Sequence, residues 1–203
     1  SERSIRDSLF DITIGAEIAK LLPSDGAGDD YFGHSVAISG NRATVGAYGD
    51  DDNGSDSGSA YLFDTTGDQL AKLTASDGAN NDYFGTSVAI SGNTAIVGAY
   101  GDDDNGSSSG SAYLFDISNP NIPTEITKLT PSDGARGDWF GRCVAISANT
   151  AIVGAQHNAD YGQSSGSAYL FEMDCDENGI NDILELANDP SLDCDQSGYL
   201  DSC

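Results

Sequence analysis

Long hydrophobic runs are missing from this chain, and basic residues are scarce. No apolar stretch approaches the roughly 20 residues that a membrane-spanning helix requires, so we predict no membrane insertion. Only 8 Lys and Arg residues accompany 33 Asp and Glu residues, for a formal net charge of −25. This excess makes nucleic acid and anionic membrane surfaces poor partners. It is typical either of a soluble extracellular or salt-adapted surface, or of carboxylates that a divalent cation neutralises.

Catalytic sequence motifs are also missing. The two histidines, His34 and His157, occupy unrelated positions, and no nucleophile-elbow, zinc-protease or phosphate-loop motif is present. Paired carboxylates of the glycosidase kind are abundant, but each recurs along the chain, whereas a catalytic group usually occurs once. We therefore predict that the chain is not an enzyme.

The N-terminus carries neither an initiator Met nor a signal peptide, because the sequence starts at Ser1. Either a leader has been removed or the sequence is a fragment of a longer protein. The repeats described next lead us to expect a fragment.

One sequence unit occurs three times, at residues 31–64, 83–116 and 139–172. The periods are 52 and 56 residues, measured from Phe32 to Phe84 to Phe140. Each unit predicts strands such as 87–91, 94–99 and 111–116, separated by Gly and Asn turns and followed by a fourth strand that contains AKLTAS or ITKLTPS. A repeat of about 40–50 residues with several short strands is typical of a β-propeller blade.

The predicted fold is therefore all-β, with about three four-stranded antiparallel blades of an incomplete propeller over residues 1–172. Residues 8–22 resemble the last two strands of a preceding blade. Closed propellers use about four to eight blades, so three leave the ring open. We expect self-association through the open blade edges.

Two residue pairs recur in every unit and predict tight packing. Phe-Gly follows an aromatic residue at the start of each unit, and we expect its Phe to wedge between neighbouring sheets. Gly-Ala ends the second strand, where small residues let the sheets approach closely.

Phe-Gly followed by Val-Gly-Ala resembles the FG-GAP repeat of integrin α-subunit propellers and their bacterial relatives, over roughly residues 8–172. The resemblance implies a β-propeller used for extracellular adhesion or ligand binding, often with calcium in hairpin loops. Integrin-type calcium loops join the first two strands of a blade. That connection here is as short as Gly40-Asn41, so the resemblance transfers the blade framework and not the calcium sites.

Acidic loops follow the Gly-Ala strands and offer a second set of calcium ligands, Asp50, Asp52, Asp102 and Asp104. The alternative is a solvated hairpin tip in which Asp and Asn simply favour turns, and we prefer it. The third unit retains only Asp160 of this cluster. Two further sets of Asp residues recur at equivalent positions of the repeat, and we expect them to bind local backbone or to form turns rather than to bind metal. They are Asp25, Asp77 and Asp133, and Asp30, Asp82 and Asp138.

The segment 173–203 has a different composition and carries the EF-hand loop pattern. The first loop predicts six calcium ligands: Asp174, Asp176, Asn178, Ile180 through its carbonyl, Asp182 and Glu185. A second loop, cut short before its twelfth position, predicts Asp193, Asp195, Ser197, Tyr199 and Asp201. The pair of loops resembles the dockerin-like and thrombospondin type 3-like calcium repeats of secreted bacterial proteins.

The four cysteines lack metal-site spacing, so zinc is not expected. Three of them, Cys175, Cys194 and Cys203, lie in the calcium-type segment, which favours disulfides in an oxidising compartment. Cys143 replaces a serine of the other units, and we expect either a small buried residue or a thiol paired with Cys175.

Together these patterns predict a secreted or cell-surface bacterial protein that binds calcium and uses its propeller to bind an extracellular protein or glycan. One alternative is a non-catalytic propeller module of a larger secreted polysaccharide-degrading enzyme. Another is a structural surface repeat.

Overall fold

A computed structural model of the chain describes residues 16–172, which form three antiparallel sheets. The strands of blade 1 are β1 (Ser35–Ser39), β2 (Arg42–Ala47), β3 (Ser59–Asp64) and β4 (Gln69–Leu73). Those of blade 2 are β5 (Ser87–Ser91), β6 (Thr94–Ala99), β7 (Ser111–Asp116) and β8 (Thr124–Leu129). Those of blade 3 are β9 (Phe140–Ser147), β10 (Thr150–Ala155) and β11 (Ser167–Glu172).

Each blade is an antiparallel meander, because consecutive strands pair in sequence order within each sheet. The first turn of every blade places one residue in the left-handed region, with φ of 59° at Gly40, 55° at Gly92 and 48° at Ala148. The strands predicted at 87–91, 94–99 and 111–116 are confirmed at both ends as β5, β6 and β7. The all-β, incomplete propeller is likewise confirmed by unclosed sheets of 4, 4 and 3 strands.

Alternating side chains give every blade two different faces. We call the leading face the one that carries the Ala and Leu of the third strand, Ala60 and Leu62 in blade 1. The trailing face carries the Tyr and Phe of the same strand, Tyr113 and Phe115 in blade 2. The leading face of blade 1 packs on the trailing face of blade 2 in one buried cluster. Blade 2 packs on blade 3 in the same sense.

The Phe of the Phe-Gly pair is the centre of each interface, as predicted. Phe84 and Phe140 are fully buried. Phe84 contacts the rings of Tyr113 and Phe115 edge-on, with centroids 5.4 and 5.9 Å apart. Burial of a side chain of this size stabilises by about 1.5–3 kcal/mol.

The Gly of the Gly-Ala pair is required by close approach between blades. A Cβ atom added to Gly46 would lie 2.0 Å from the carbonyl oxygen of Gly85 in the next blade. Beside it, the Ser35 hydroxyl donates a hydrogen bond of 2.8 Å to the same oxygen. Any larger residue at position 46 would force the two sheets apart.

Two expectations need correction, and others concern residues that the structure does not describe. Glu17 to Leu22 forms no strand, because no neighbouring strand pairs with it among residues 16–172. Blade 3 shows three strands within the same range, and its predicted fourth strand would follow residue 172, outside the described residues. Cys143 is exposed rather than buried, because no strand among residues 16–172 packs over its position. Its alternative partner, Cys175, lies outside the described residues. The segment 8–15 and the calcium-type segment 173–203 lie outside the described residues.

Candidate functional site

The acidic loop of blade 1 closes around a lysine. Asp50 and Asp52 follow β2, Asp25 comes from the turn that precedes the blade, and Lys72 projects from β4. The Lys72 ammonium lies 2.8 Å from Asp25, 3.0 Å from Asp50 and 2.5 Å from Asp52. The Tyr61 hydroxyl is 3.0 Å from both Asp25 and Asp50.

Blade 2 repeats the arrangement with its own residues. Lys128 lies 2.8 Å from Asp77, 2.8 Å from Asp102 and 2.6 Å from Asp104. The Tyr113 hydroxyl lies 2.8 Å from Asp77 and 3.0 Å from Asp102. We call these two groups the lysine clusters.

The electrostatics of the blade 1 cluster favour the charged forms. The hydrogen bond from Lys72 lowers the pKa of Asp25, against a smaller effect of burial. Burial would raise the pKa of Asp50, but hydrogen bonds from Lys72, the backbone of Asp52 and Ser59 lower it on balance. Burial would likewise lower the pKa of Lys72, but its carboxylate partners raise it. The cluster is therefore an ion-pair network that favours the charged forms of Asp25, Asp50 and Lys72.

These geometries test the calcium prediction for Asp50, Asp52, Asp102 and Asp104. In each set of three carboxylates, one oxygen from each residue lies within 4.8 Å of the other two, as a metal site requires. However, an ammonium has three N–H donors, and Lys72 directs them at all three carboxylates. The cation position is thus taken by a side chain of the protein. The residues fit an internal lysine and do not fit a calcium ion.

Blade 3 has a reduced cluster with no lysine among the described residues. Asn158, 4% exposed, replaces the buried Asp of the other blades. Its amide lies 3.3 Å from the Tyr169 hydroxyl, which in turn donates to Asp133 at 2.9 Å. Burial, followed by this hydrogen bond, raises the pKa of Tyr169 to about 12. A neutral amide can be buried here without the ammonium that Asp50 requires.

The Asp residue that lies two positions before the Phe of each Phe-Gly pair accepts a hydrogen bond from a local backbone N–H, as predicted. Asp30 accepts the N–H of Ala27 at 2.5 Å, and Asp138 accepts that of Ala135 at 2.9 Å. In blade 2, Asp82 accepts the N–H of Ala79 at 2.7 Å. Burial raises the pKa of Asp82 to about 6.

A row of aromatic side chains crosses all three blades and was not predicted. Its members, called the aromatic row, are Tyr31, Tyr48, Tyr83, Tyr100, Trp139 and His157. Two pairs within blades are stacked, with centroids 4.9 Å apart in each. The contacts between blades are 6.1 Å from Tyr48 to Tyr83 and 5.2 Å from Tyr100 to Trp139. The row therefore links neighbouring blades along one exposed border.

The row is partly open to solvent. Tyr31, at its end, is 54% exposed, and the other five members are partly exposed. Tyr31 stacks on Tyr48 with an interplanar angle of 1°. The Arg142 guanidinium lies 5.1 Å from the ring centroid of Tyr100. The sequence signal for this row was the recurrence of Tyr after the Gly-Ala pair, at Tyr48 and Tyr100.

A family model of known repeats agrees with the blade geometry. A family model of the FG-GAP repeat matches residues 16–63, 68–115 and 123–171. The chain belongs to the FG-GAP repeat family. No curated protein matches it. A similar solved structure is the crystal structure of the computationally designed Ika4 protein, with 17% identity, a TM-score of 0.47, and coverage of 78% of this chain and 73% of that one.

FG-GAP repeats are typical of extracellular or surface proteins, and the family is generally non-catalytic. Within residues 16–172, no helix is long and apolar enough to cross a membrane. The EF-hand-type ligands from Asp174 to Asp201 lie outside the described residues, so their calcium site stays a prediction.

Proposed function

We propose that this FG-GAP chain is a non-catalytic binding module of a secreted or cell-surface protein, and that the aromatic row binds a glycan. The row is the observation that carries the proposal. It is the place in the described residues where aromatic rings from all three blades meet solvent together. Tyr and Trp combine an apolar ring with a polar group and are enriched at recognition surfaces.

A neutral glycan suits this surface better than a charged one. Tyr31 stacks on Tyr48 through one ring face and is more than half exposed, which leaves a platform for the apolar face of a sugar ring. Sulfated or sialylated glycans would meet a chain with a formal net charge of −25.

An extracellular protein is the second candidate partner. The acidic loops expose Asp51 and Asp103 beside the lysine clusters. Exposed charge of one sign steers a partner of the opposite sign. A basic protein surface is therefore the partner chemistry that would use these loops.

Calcium belongs to this proposal through the segment 173–203. The spacing of Asp174, Asp176, Asn178, Asp182 and Glu185 supports an EF-hand-type site. Calcium bound there would offset the mutual repulsion of these carboxylates by coordinating them.

The test is binding of the chain to an array of neutral oligosaccharides, with an array of sulfated ones beside it. Tyr31→Ala should weaken binding, because it removes the open end of the row. The matched control is Tyr161→Ala, since Tyr161 is 96% exposed and lies outside the row. Binding that Tyr31→Ala leaves unchanged, or a preference for sulfated glycans, would contradict the proposal.

A further inference from the structure

The leading face of blade 3 is built for a neighbouring blade. Ile152 is 42% exposed and Leu170 is 73% exposed. The residues at the same positions of blade 2, Ile96 and Leu114, are fully buried against blade 3. Exposed apolar residues in such an arrangement mark an interaction surface.

The trailing face of blade 1 is open along β1. Elsewhere on this face Leu21 and Phe32 pack against the buried residues Val45, Ala47, Tyr61 and Phe63. Val36 and Ile38 are 70% and 69% exposed. Their counterparts in blade 2, Val88 and Ile90, are each 8% exposed because blade 1 covers them. The open residues of the two faces thus belong to the two sides of an interface that the chain already makes twice internally.

Blade 3 also keeps the small residue that this interface demands. A Cβ on Gly98 of blade 2 would lie 1.9 Å from the carbonyl oxygen of Gly141 in blade 3. At the equivalent Gly154, the nearest atoms belong to Cys143, 3.7 Å away. Position 154 therefore has room for a side chain in this structure. It is nevertheless a glycine, the residue that the close approach of a docked blade would require.

The edge of blade 3 lacks a fourth strand within residues 16–172. In blade 1, β3 pairs with β4 so that Tyr61 lies opposite Lys72 and Ala60 lies opposite Leu73. The corresponding strand of blade 3, β11, is the edge of its sheet. Among the described residues no lysine therefore lies next to Tyr169, and residues 173–203 contain neither Lys nor Arg.

The chain carries one segment that would fill this position. Residues 16–21 (AEIAKL) correspond in the repeat to residues 68–73 (DQLAKL), which include β4. They pair with no strand of the described chain, and Lys20 is exposed and forms no ion pair there. The segment leads into blade 1 in the same way that residues 68–73 lead into blade 2. The Ser24 N–H donates to the Gln69 side chain at 2.8 Å, and the Ser76 N–H donates to the Glu125 side chain at 2.8 Å.

We infer that a second copy of this chain docks head to tail on blade 3. Residues 16–21 of the second copy add to β11 as its fourth strand, in the register that places Lys20 opposite Tyr169. The Lys20 ammonium then lies between Asp133 and Asp160, as Lys72 and Lys128 lie in their clusters. The trailing face of the second copy covers the exposed leading face of blade 3.

The repeat geometry makes closure the natural outcome. A contact between two different faces generates either a ring or an open filament. Two copies with three blades each would form a ring of about six blades, within the usual range of roughly four to eight. Asn158 is compatible with this assembly. In the monomer its position holds a neutral amide, so no carboxylate is buried there without a lysine partner.

Light scattering on the full chain tests the assembly. The expected mass is twice 21.0 kDa, with dissociation on dilution. Lys20→Glu should raise the dissociation constant at least tenfold, whereas Arg136→Glu, an equal charge change at another exposed residue, should leave it unchanged. A monomer at every concentration, or a dimer indifferent to Lys20→Glu, would overturn the inference.

A complementation experiment tests the head-to-tail sense of the contact. Leu170→Asp blocks the leading face and Ile38→Asp blocks the trailing face, and both residues are exposed, so the monomers should fold. Each variant alone should be monomeric, whereas their equimolar mixture should form a heterodimer through the two intact faces. A mixture that stays monomeric would refute docking between these faces.

Carbodiimide cross-linking of a mixture of isotopically light and heavy chains tests the register. A bond between Lys20 of one copy and Asp133 or Asp160 of the other is expected. The corresponding ammonium–carboxylate distances in blades 1 and 2 are 2.8 Å for the counterparts of Asp133, and 2.5 and 2.6 Å for those of Asp160. Cross-links found only within single chains would contradict the strand addition.

Discussion

The ammonium of Lys72 lies 3.0 Å from a carboxylate oxygen of Asp50, whose side chain is only 5% exposed. Removing the charge in Lys72→Met would leave that carboxylate buried without its cation. Breaking a buried pair from one side typically costs about 3–5 kcal/mol. We expect a loss of free energy of unfolding in this range, measured by urea denaturation at pH 7.

Lys20→Met is the control for that experiment, because Lys20 belongs to the same repeat column but is exposed. At protein concentrations where the chain is monomeric, this variant should unfold as the wild type does. The double variant Lys72→Met/Asp50→Asn should recover part of the loss. Equal effects of the Lys20 and Lys72 substitutions would show that the ion-pair network does not stabilise the blade.

Acid should weaken the same network. The folded-state pKa values of Asp25, Asp50 and Asp77 are lowered below the ordinary value of 3.8. The stabilisation is therefore present above that pH and is lost as the pH falls below it. Unfolding followed by circular dichroism from pH 5 to pH 2 should show the loss in the wild type and less of it in Lys72→Met.

In the reduced cluster of blade 3 the informative substitution adds a charge instead of removing one. Asn158→Asp would place a carboxylate at a site that is 4% exposed and has no ammonium in the monomer. An unpaired buried group costs about 1–3 kcal/mol or more, so this variant should be less stable at pH 7. Its deficit should shrink as the pH falls, because burial favours the protonated form. Asp160→Asn, at an exposed position of the same loop, is the control for denaturation across this pH range.

Local pattern was enough to predict the strands of this fold. Alternation in SVAIS and SAYLFD, with a Gly-Asn turn between β5 and β6, fixed both ends of those strands because the information lies within a few residues. The segment 17–22 has the same strand-like composition but forms no strand. Strand formation depends on a neighbouring strand that the local sequence does not supply.

The ion-pair partners of the acidic residues could not be predicted from the local sequence pattern. Lys72 is 22 residues from Asp50 and 47 from Asp25, and only the blade brings them together. Lys20, Lys72 and Lys128 recur with the same period as the Asp columns, and this coincidence was the available signal. The aromatic row was harder to foresee, because its contact between Tyr48 and Tyr83 joins two blades.

Asp82 predicts a stability change near neutral pH. Burial raises its pKa to about 6, above the ordinary value of 3.8. The folded state therefore holds a proton that the unfolded state has released, and stability should fall as the pH rises from about 4 through 6. Asp82→Asn keeps an oxygen for the Ala79 N–H and should remove that slope, gaining roughly 2–3 kcal/mol at pH 7. Urea unfolding from pH 4 to pH 8 measures this, with exposed Asp68→Asn as the control that should keep the wild-type slope.

Calcium should bind the chain outside its blades. In calorimetry on the full chain, we expect binding that Asp176→Ala combined with Glu185→Ala abolishes, because these residues supply the third and twelfth positions of the first EF-hand-type loop. Asp52→Asn combined with Asp104→Asn should leave the binding heat unchanged, since Lys72 and Lys128 already occupy the cation positions of the blades. A wild-type chain that gives no heat would refute the calcium site of the segment 173–203. Heat that disappears in the blade variant would instead show that calcium displaces the lysines, and that the acidic loops are metal sites after all.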